Sequence, residues 1–419
     1  MVDGFRSNRY TSDNFDHRPP GGGYGNVGMG TYRNHYNYHV IDKELFYVGT
    51  DQLDTTTVPS NETILKPSDG ATDDEFGRAV AVGGKKIVVS AYGYNNYQGK
   101  IYIYDLDGTN EIIITNPITG QGRFGYDVAI GDGRIVVSAP FDGNGGIAYL
   151  YDLEGNLVET LNPTVGAGEG FGTSVDIGCG RIVVGSPYYS SNKGRAFIFD
   201  LNGVEIREFF DHFSGQMGGE QFGRAVAIGC GKIIVGSPEY DYSYSGFFGT
   251  GKGIAQLYDL SGNKLRNIYY SGSLSSNFYA GGDFGENLAI GDGRIVAGLW
   301  NGGYHKCTVY DLDGNAKVNF DATNFAIGCG RLILALTDDD TVYVRSLDDS
   351  ANGVGSLLET LPLTWTPGNS DSFGSSVAVG DGVIVVGNRL DDDNGSNSGS
   401  AFIYTTPDQT HFLDLISKR

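Results

Sequence analysis

An all-β chain built from one unit repeated seven times is what this sequence predicts, on three observations. The first is composition: 66 Gly among 419 residues, beside 27 Tyr and 22 Phe. Glycine far above its usual share of about 7%, with aromatics plentiful, signals tight turns between aromatic-bearing strands and not disorder. The second is a recurring phrase: Phe-Gly, a short apolar strand, Gly-Asp-Gly or Gly-Cys-Gly, then Arg-Ile-Val-Val. The third is its period. Gly83, Gly131, Gly178, Gly229, Gly291, Gly328 and Gly380 mark seven turns spaced by about 50 residues, a period of propeller blades and arrays.

The elements follow in order inside each unit. "VAIG" and "RIVVGSP" are apolar runs joined by a Gly-x-Gly turn, where positive φ lets the chain reverse tightly. A loop of variable length comes next, then an aromatic strand ending in Asp-Leu-x-Gly: "IYIYDLDG", "AYLYDLEG", "AFIFDLNG", "AQLYDLSG", "CTVYDLDG". Asp- or Asn-Gly after such a run is a hairpin signal, and a fourth strand follows, as in "NLVETLNP". Units start near 76, 124, 171, 222, 284, 320 and 373; the one near 320, "NFAIGCGRLILAL" (Asn324–Leu336), has lost its Phe-Gly. Seven four-stranded antiparallel units of this length predict a seven-bladed β-propeller, since radial closure hides the edges that a solenoid must cap. Phe76, Phe124, Phe171, Phe222, Phe284 and Phe373 recur once per blade and are expected in the core between blades.

"ETILKP", Glu62–Pro67, precedes the first Phe-Gly just as "LVETLNP" precedes a later one. It is expected to be the outer strand of the last blade, closing the ring; the segment 407–419 ("HFLDLIS") competes for that place. The domains are then an N-terminal arm, 1–45, and the propeller, 46–419.

These repeats resemble the FG-GAP family, the propeller units also found in integrin α-subunit heads. The likeness runs from about Glu62 to Thr406 and is nearest to the bacterial and phage-associated variety, through "FGSSVAVGDGVIVVGNRLDDDNGSNSGSAFIY" (Phe373–Tyr404). It implies a seven-bladed propeller and roles in adhesion or binding, not catalysis. Integrin-like copies carry Asp-x-Asp/Asn-x-Asp-Gly between the first two strands and hold calcium there. Here that loop has shrunk to Gly-Asp-Gly or Gly-Cys-Gly, with at most one carboxylate where Ca²⁺ takes six to eight oxygens. In "LDDDNGSNSG", Leu390–Gly399, the first ligand position is Leu390, so the regular loop pattern fails; Asp391, Asp393 and Asn397 are the residual candidates for a metal, and none is assigned.

Other chemistry is thin. Six His stand in unrelated contexts, and no Gly-x-Ser-x-Gly elbow or phosphate-loop lysine is present. No catalytic or cofactor-binding residue is assigned, and no enzyme is expected. Cys179, Cys230 and Cys329 share the Gly-Cys-Gly slot, which with Cys307 reads as free thiols and not as a zinc or disulfide framework. A net charge of −21 argues against nucleic acid and against docking on anionic membranes. Neither a signal-peptide core nor an apolar run of membrane length appears, so the chain is expected to be made and folded in a cytoplasm.

The repeat breaks in two places. Residues 1–45, with "RPPGGGYGNVGMGTYRNHYNYH" (Arg18–His39), form a Gly/Tyr-rich docking arm in which Arg18, Tyr24, Tyr32, Arg33, Tyr36 and Tyr38 are the expected contacts. The fourth unit carries a long insert, Pro238–Ile254, whose Tyr240, Tyr242, Tyr244 and Phe247 have the composition of a binding loop. The expected function is a non-enzymatic structural or binding propeller of a virus particle (tail, fibre base or capsid surface). It would join other virion proteins or copies of itself through the arm and face a host protein or glycan. The alternative is a bacterial surface or secreted adhesion propeller.

Overall fold

The computed structural model describes residues 62–143, 145–163, 170–210, 219–239, 253–270, 283–301, 304–337, 340–347, 354, 357–361, 372–393 and 395–405, with two short strands at 38–41 and 44–47. The chain divides into two compact units, Met1–Thr56 and Thr57–Arg419. In the first, Tyr38–Ile41 pairs antiparallel with Glu44–Tyr47, so residue 45 lies within a strand. Arg18, Tyr24, Tyr32, Arg33 and Tyr36 lie outside the described residues, as do the side chain of Tyr38 and residues Tyr240, Tyr242, Tyr244 and Phe247.

The second unit is a seven-bladed β-propeller of four-stranded antiparallel sheets. Blade 1 runs Phe76–Gly83, Lys86–Ala91, Lys100–Asp105 and Ile112–Thr115. Burial falls across each blade and explains the residues chosen. Ile87, Val88 and Val89 on the second strand and Ile101, Tyr102 and Ile103 on the third are buried, as continuous apolar runs must be when both sheet faces are covered. The outer strands are the most exposed and mix apolar with polar residues; in Leu157–Leu161 the first three residues face solvent and only Leu161 is buried. Charged residues on several of them, such as Glu159 and Arg207, discourage edge-to-edge association.

Seven hydrophobic clusters fill the seven junctions between neighbouring blades. The repeated phenylalanines are buried in six of them. Phe76 meets Tyr102 edge-on at 5.1 Å, Phe171 meets Phe197 at 5.4 Å and Phe373 meets Phe402 at 5.3 Å. Burying one such ring contributes about 1.5–3 kcal/mol. The sixth blade begins at Asn324, only two residues beyond the last strand of the fifth, Ala316–Asp321. So short a link leaves Ala322 where a Phe-Gly glycine would stand, and Cys307, Val309 and Leu332 fill that junction instead.

The last blade is Phe373–Gly380, Val383–Asn388 and Ser400–Thr405, and its fourth place is taken by Glu62–Leu65. Ile64 lies opposite Phe402 and Leu65 opposite Ala401. The ring is therefore fastened by pairing between the two ends of the repeat region.

Antiparallel order gives the ring two different faces. In six blades the first strand contains or follows a Phe-Gly, in all seven it ends at the first turn, and in blades 1–5 the third strand ends at Asp-Leu-x-Gly. Both turn types thus lie on one face, the hairpin face. The loops between second and third strands and the links between blades lie on the other, the Phe-Gly face.

Candidate functional site

The first strands of all seven blades line a central channel of about 580 Å³. At its Phe-Gly end a wider cavity of about 710 Å³ opens, with Arg78, Arg224, Glu286, Trp300, Lys306 and Arg389 in its wall. Blade 5 raises one side of this mouth. Its central hairpin, Arg294–Asn301 with Tyr304–Asp311, has strands two residues longer than those of blade 1, and Trp300 on it is 45% exposed.

Charges at the mouth are mostly matched. The Arg224 guanidinium donates to Glu286 Oε1 at 2.6 and 3.0 Å and to the Tyr188 hydroxyl at 3.3 Å. Lys306 meets Asp321 at 2.5 Å, and Arg389 stands 3.7 Å from Glu75. Asp283, on the same wall, has its pKa pushed up to about 6, by burial first and then by the like charges of Glu286 and Glu239.

Deeper in the channel stand two carboxylates on neighbouring blades. Asp127 accepts the Val128 N–H at 2.9 Å and, across the junction, the Val175 N–H at 2.8 Å. Asp176 repeats the device one blade on, accepting from Ile177 at 2.8 Å and from Ile228 at 2.7 Å. Each side chain meets water only through the channel, and that desolvation raises the pKa to about 6 for Asp127 and about 7 for Asp176. Their chemistry is structural: each carboxylate bonds one blade to the next.

On the Phe-Gly face of blades 1 and 2 an aromatic cluster surrounds two further arginines. Tyr92 packs edge-on against Tyr97 at 5.7 Å and Tyr126 at 6.2 Å, and Tyr126 against Phe141 at 6.1 Å. The Arg78 guanidinium carbon lies 5.3 Å from the Tyr92 ring centre and 5.5 Å from that of Tyr126. That of Arg123 lies 4.5 Å from Phe141, 5.1 Å from Tyr97 and 5.8 Å from Tyr92. Tyr97 stands on one turn of left-handed backbone, with φ of 48°, 57° and 64° at Asn95, Asn96 and Tyr97. Non-glycine residues resist that conformation, so the loop that presents Tyr97 carries strain of the kind found at binding sites. The loop of blade 3 repeats the turn at Ser190, Ser191 and Asn192.

None of these residues was singled out by sequence reasoning, although one signal was present. The residue after each Phe-Gly changes chemistry from blade to blade: Arg78, Tyr126, Thr173, Arg224, Glu286 and Ser375. A slot that varies inside a strict repeat, at the rim of a channel, marks a surface released from structural duty.

The residual metal candidates do not converge. Asp391 is buried and its Oδ1 accepts the Asp393 N–H at 2.9 Å. Asp393 pairs with Lys66 at 3.0 Å, while the Asn397 side chain donates to Asp73 at 2.9 Å. The three side chains turn to three different partners; Asp391 ties the blade 7 loop to itself, while Asp393 and Asn397 stitch it to the segment after the closing strand. Among the described residues no three or more His, Cys, Asp or Glu are grouped to hold a metal ion. Cys179, Cys230 and Cys329 are exposed free thiols on the hairpin face; Cys307 is buried in a strand, which pushes its thiol up to about 12.

Comparison with known proteins agrees with this architecture. Residues 59–104 and 367–404 match the FG-GAP repeat; they hold the closing strand, three strands of blade 1 and the rest of blade 7. The chain is thus a β-propeller, two stretches of which match the FG-GAP repeat. Its fold is similar to the crystal structure of the WD40 beta propeller domain of Doa1, at 14% identity and a TM-score of 0.50, covering 83% of this chain and 97% of that one. At that identity the likeness bears on the fold alone. No curated protein matches the sequence.

Proposed function

We propose that this chain is a non-enzymatic binding propeller: a rigid ring that presents a variable Phe-Gly face around its channel mouth. One observation carries the reading. The hairpin face repeats its first turn blade after blade, whereas the loops and rim residues that differ between blades gather on the other face. Function in such scaffolds sits on the loops that a rigid core positions.

The finer reading is a component of a virus particle (tail, fibre base or capsid surface), attached through residues 1–45 to other virion proteins or copies of itself, with the ring toward a host protein or glycan. Its support is the phage-like form of the repeats and the Tyr- and Arg-bearing arm. The alternative, a bacterial surface or secreted adhesion propeller, uses the same face with a different anchorage. Deleting residues 1–40 separates them. On the virion reading the truncated chain folds as a monomer and fails to enter its particle. Incorporation at the normal copy number overturns that reading.

A further inference from the structure

Arg78 and Arg123 share one aromatic cluster on the Phe-Gly face. The chain carries 50 Asp and Glu against 29 Lys and Arg, and eight cations of the described residues find an acid. Lys66, Lys86, Lys100, Arg195, Arg224, Lys306, Lys317 and Arg389 all stand in ion pairs. The Arg78 and Arg123 guanidiniums have aromatic faces and, among the described residues, neither a hydrogen-bond acceptor nor an ion-pair partner within reach. The Arg78 Nε is moreover enclosed with no acceptor. Arg78 acts on Asp127 in the channel through its charge, without an ion pair between them. Cation–π contacts orient a guanidinium and leave its N–H edge open.

Around this pair the rings are accessible. Phe141 is 52% exposed and Tyr97 38% exposed, and both touch Arg123. A flat apolar face beside a planar double donor suits a sugar ring that carries a carboxylate: the ring stacks and the carboxylate takes the fork. The net charge of −21 disfavours a long polyanion, but it is screened beyond about 8 Å at physiological ionic strength and does not forbid one carboxylate held at contact.

We infer that the Phe-Gly face of blades 1 and 2 is a binding site for a short oligosaccharide bearing a single carboxylate, with Arg78 and Arg123 taking the acid and Tyr97 and Phe141 stacking on the sugar. The inference rests on the binding-propeller reading and names its ligand class.

The test is a ligand-observed NMR titration of the full chain with sialyllactose, with lactose as the neutral control and triglutamate as the acidic peptide control. Sialyllactose is expected to bind in the millimolar range while lactose and triglutamate bind at least about tenfold more weakly. Arg123→Ala and Arg78→Ala each weaken sialyllactose by about tenfold or more with the melting temperature of the ring preserved, and Arg123→Lys weakens it by less. Phe141→Ala weakens it by about fivefold, which shows the stacking contribution. Equal binding of lactose, equal binding of triglutamate, or arginine variants that bind as the parent does would each overturn the site. A chain that binds none of the three probes yet still assembles through residues 1–45 overturns this inference and leaves the proposed assembly role standing.

Discussion

The two faces of the ring solve different problems with the same blades. On the hairpin face each turn between first and second strands has positive φ at both central residues, from Gly84 and Lys85 through Asp381 and Gly382, the pattern of a type I′ turn. The turn side chain then reaches the next blade. Asp132 accepts the Gly180 N–H at 2.7 Å, Asp292 that of Gly330 at 2.7 Å, Asp381 that of Lys85 at 2.7 Å, and Cys230 that of Gly293 at 3.4 Å. Blade 1, with Gly84 in the slot, has no side chain to offer. The second hairpins are as uniform: Asp152, Asp259 and Asp311 each accept backbone N–H groups two and four residues on. The Phe-Gly face keeps only its Phe-Gly step constant. What the difference teaches is that repetition here marks structure, and that variation marks surface free to bind.

Both faces depend on a closed ring, so the largest effect should come from opening it. Deleting residues 1–70 removes Glu62–Leu65 and leaves blade 7 with an uncovered third strand; deleting 1–40 removes no blade hydrogen bond. The melting temperature should fall by about 10 °C or more for the first deletion and hold for the second, and equal values would show that another segment closes the ring.

The hairpin face should be intolerant of bulk where blades touch. A Cβ on Gly131 would lie 2.6 Å from the Ile177 carbonyl oxygen of the next blade. Gly131→Val should therefore cost about 3 kcal/mol in denaturant unfolding, whereas Arg123→Ala on the other face should cost less than about 0.5. A mild Gly131→Val would mean that the first strands can slide apart.

Titration should separate the turns from the channel. The Asn156 side chain, with backbone N–H groups, holds Asp152 below the usual carboxylate range; Asp311 falls to about 2 because bonds from Asn315 and Lys317 overcome its desolvation. A depressed carboxylate stabilises the fold above its unfolded value near 3.8 and loses that contribution as pH falls through its folded value. Asp127 and Asp176 are raised to about 6 and about 7, so they favour the fold while protonated and erode it as pH climbs from 3.8 through those values. The melting temperature should peak between about pH 4 and 6, and Asp176→Asn should flatten the decline on the alkaline side. A profile unchanged by that substitution would show that the channel carboxylates are better solvated than their enclosure indicates.

Smaller effects sharpen the contrast. Asp132→Ala removes one bond between turns and should cost about 0.5 kcal/mol, since the freed Gly180 N–H can turn to water. On the Phe-Gly face, Asn96→Gly relieves a left-handed residue at the expense of unfolded-chain entropy and should change stability by less than about 0.5 kcal/mol, whereas Asn96→Val should cost about 1–2 kcal/mol. Equal stability of the two variants would show that the loop relaxes out of its left-handed turn.

The blade count, the strand order, the hairpin turns and the six core phenylalanines were legible in the sequence, because each follows from local periodicity and turn chemistry within about 50 residues. The role of Gly131 was not. Its backbone needs no glycine, and only the approach of Ile177 from the next blade forbids a side chain. Nor was the partnership of Arg78 with Arg123, which share the Tyr92 ring although they follow different loops. The turn slot held Asp or Cys in most blades, but its bond to the neighbouring turn needed the ring radius to be known. The sequence alone determined what each blade is, since hydrogen bonding and burial within a blade are read along the chain. The tertiary structure decided what blades do to one another, because close approach, buried carboxylates and shared aromatic faces arise only when the circle closes and distant segments come within a few ångströms.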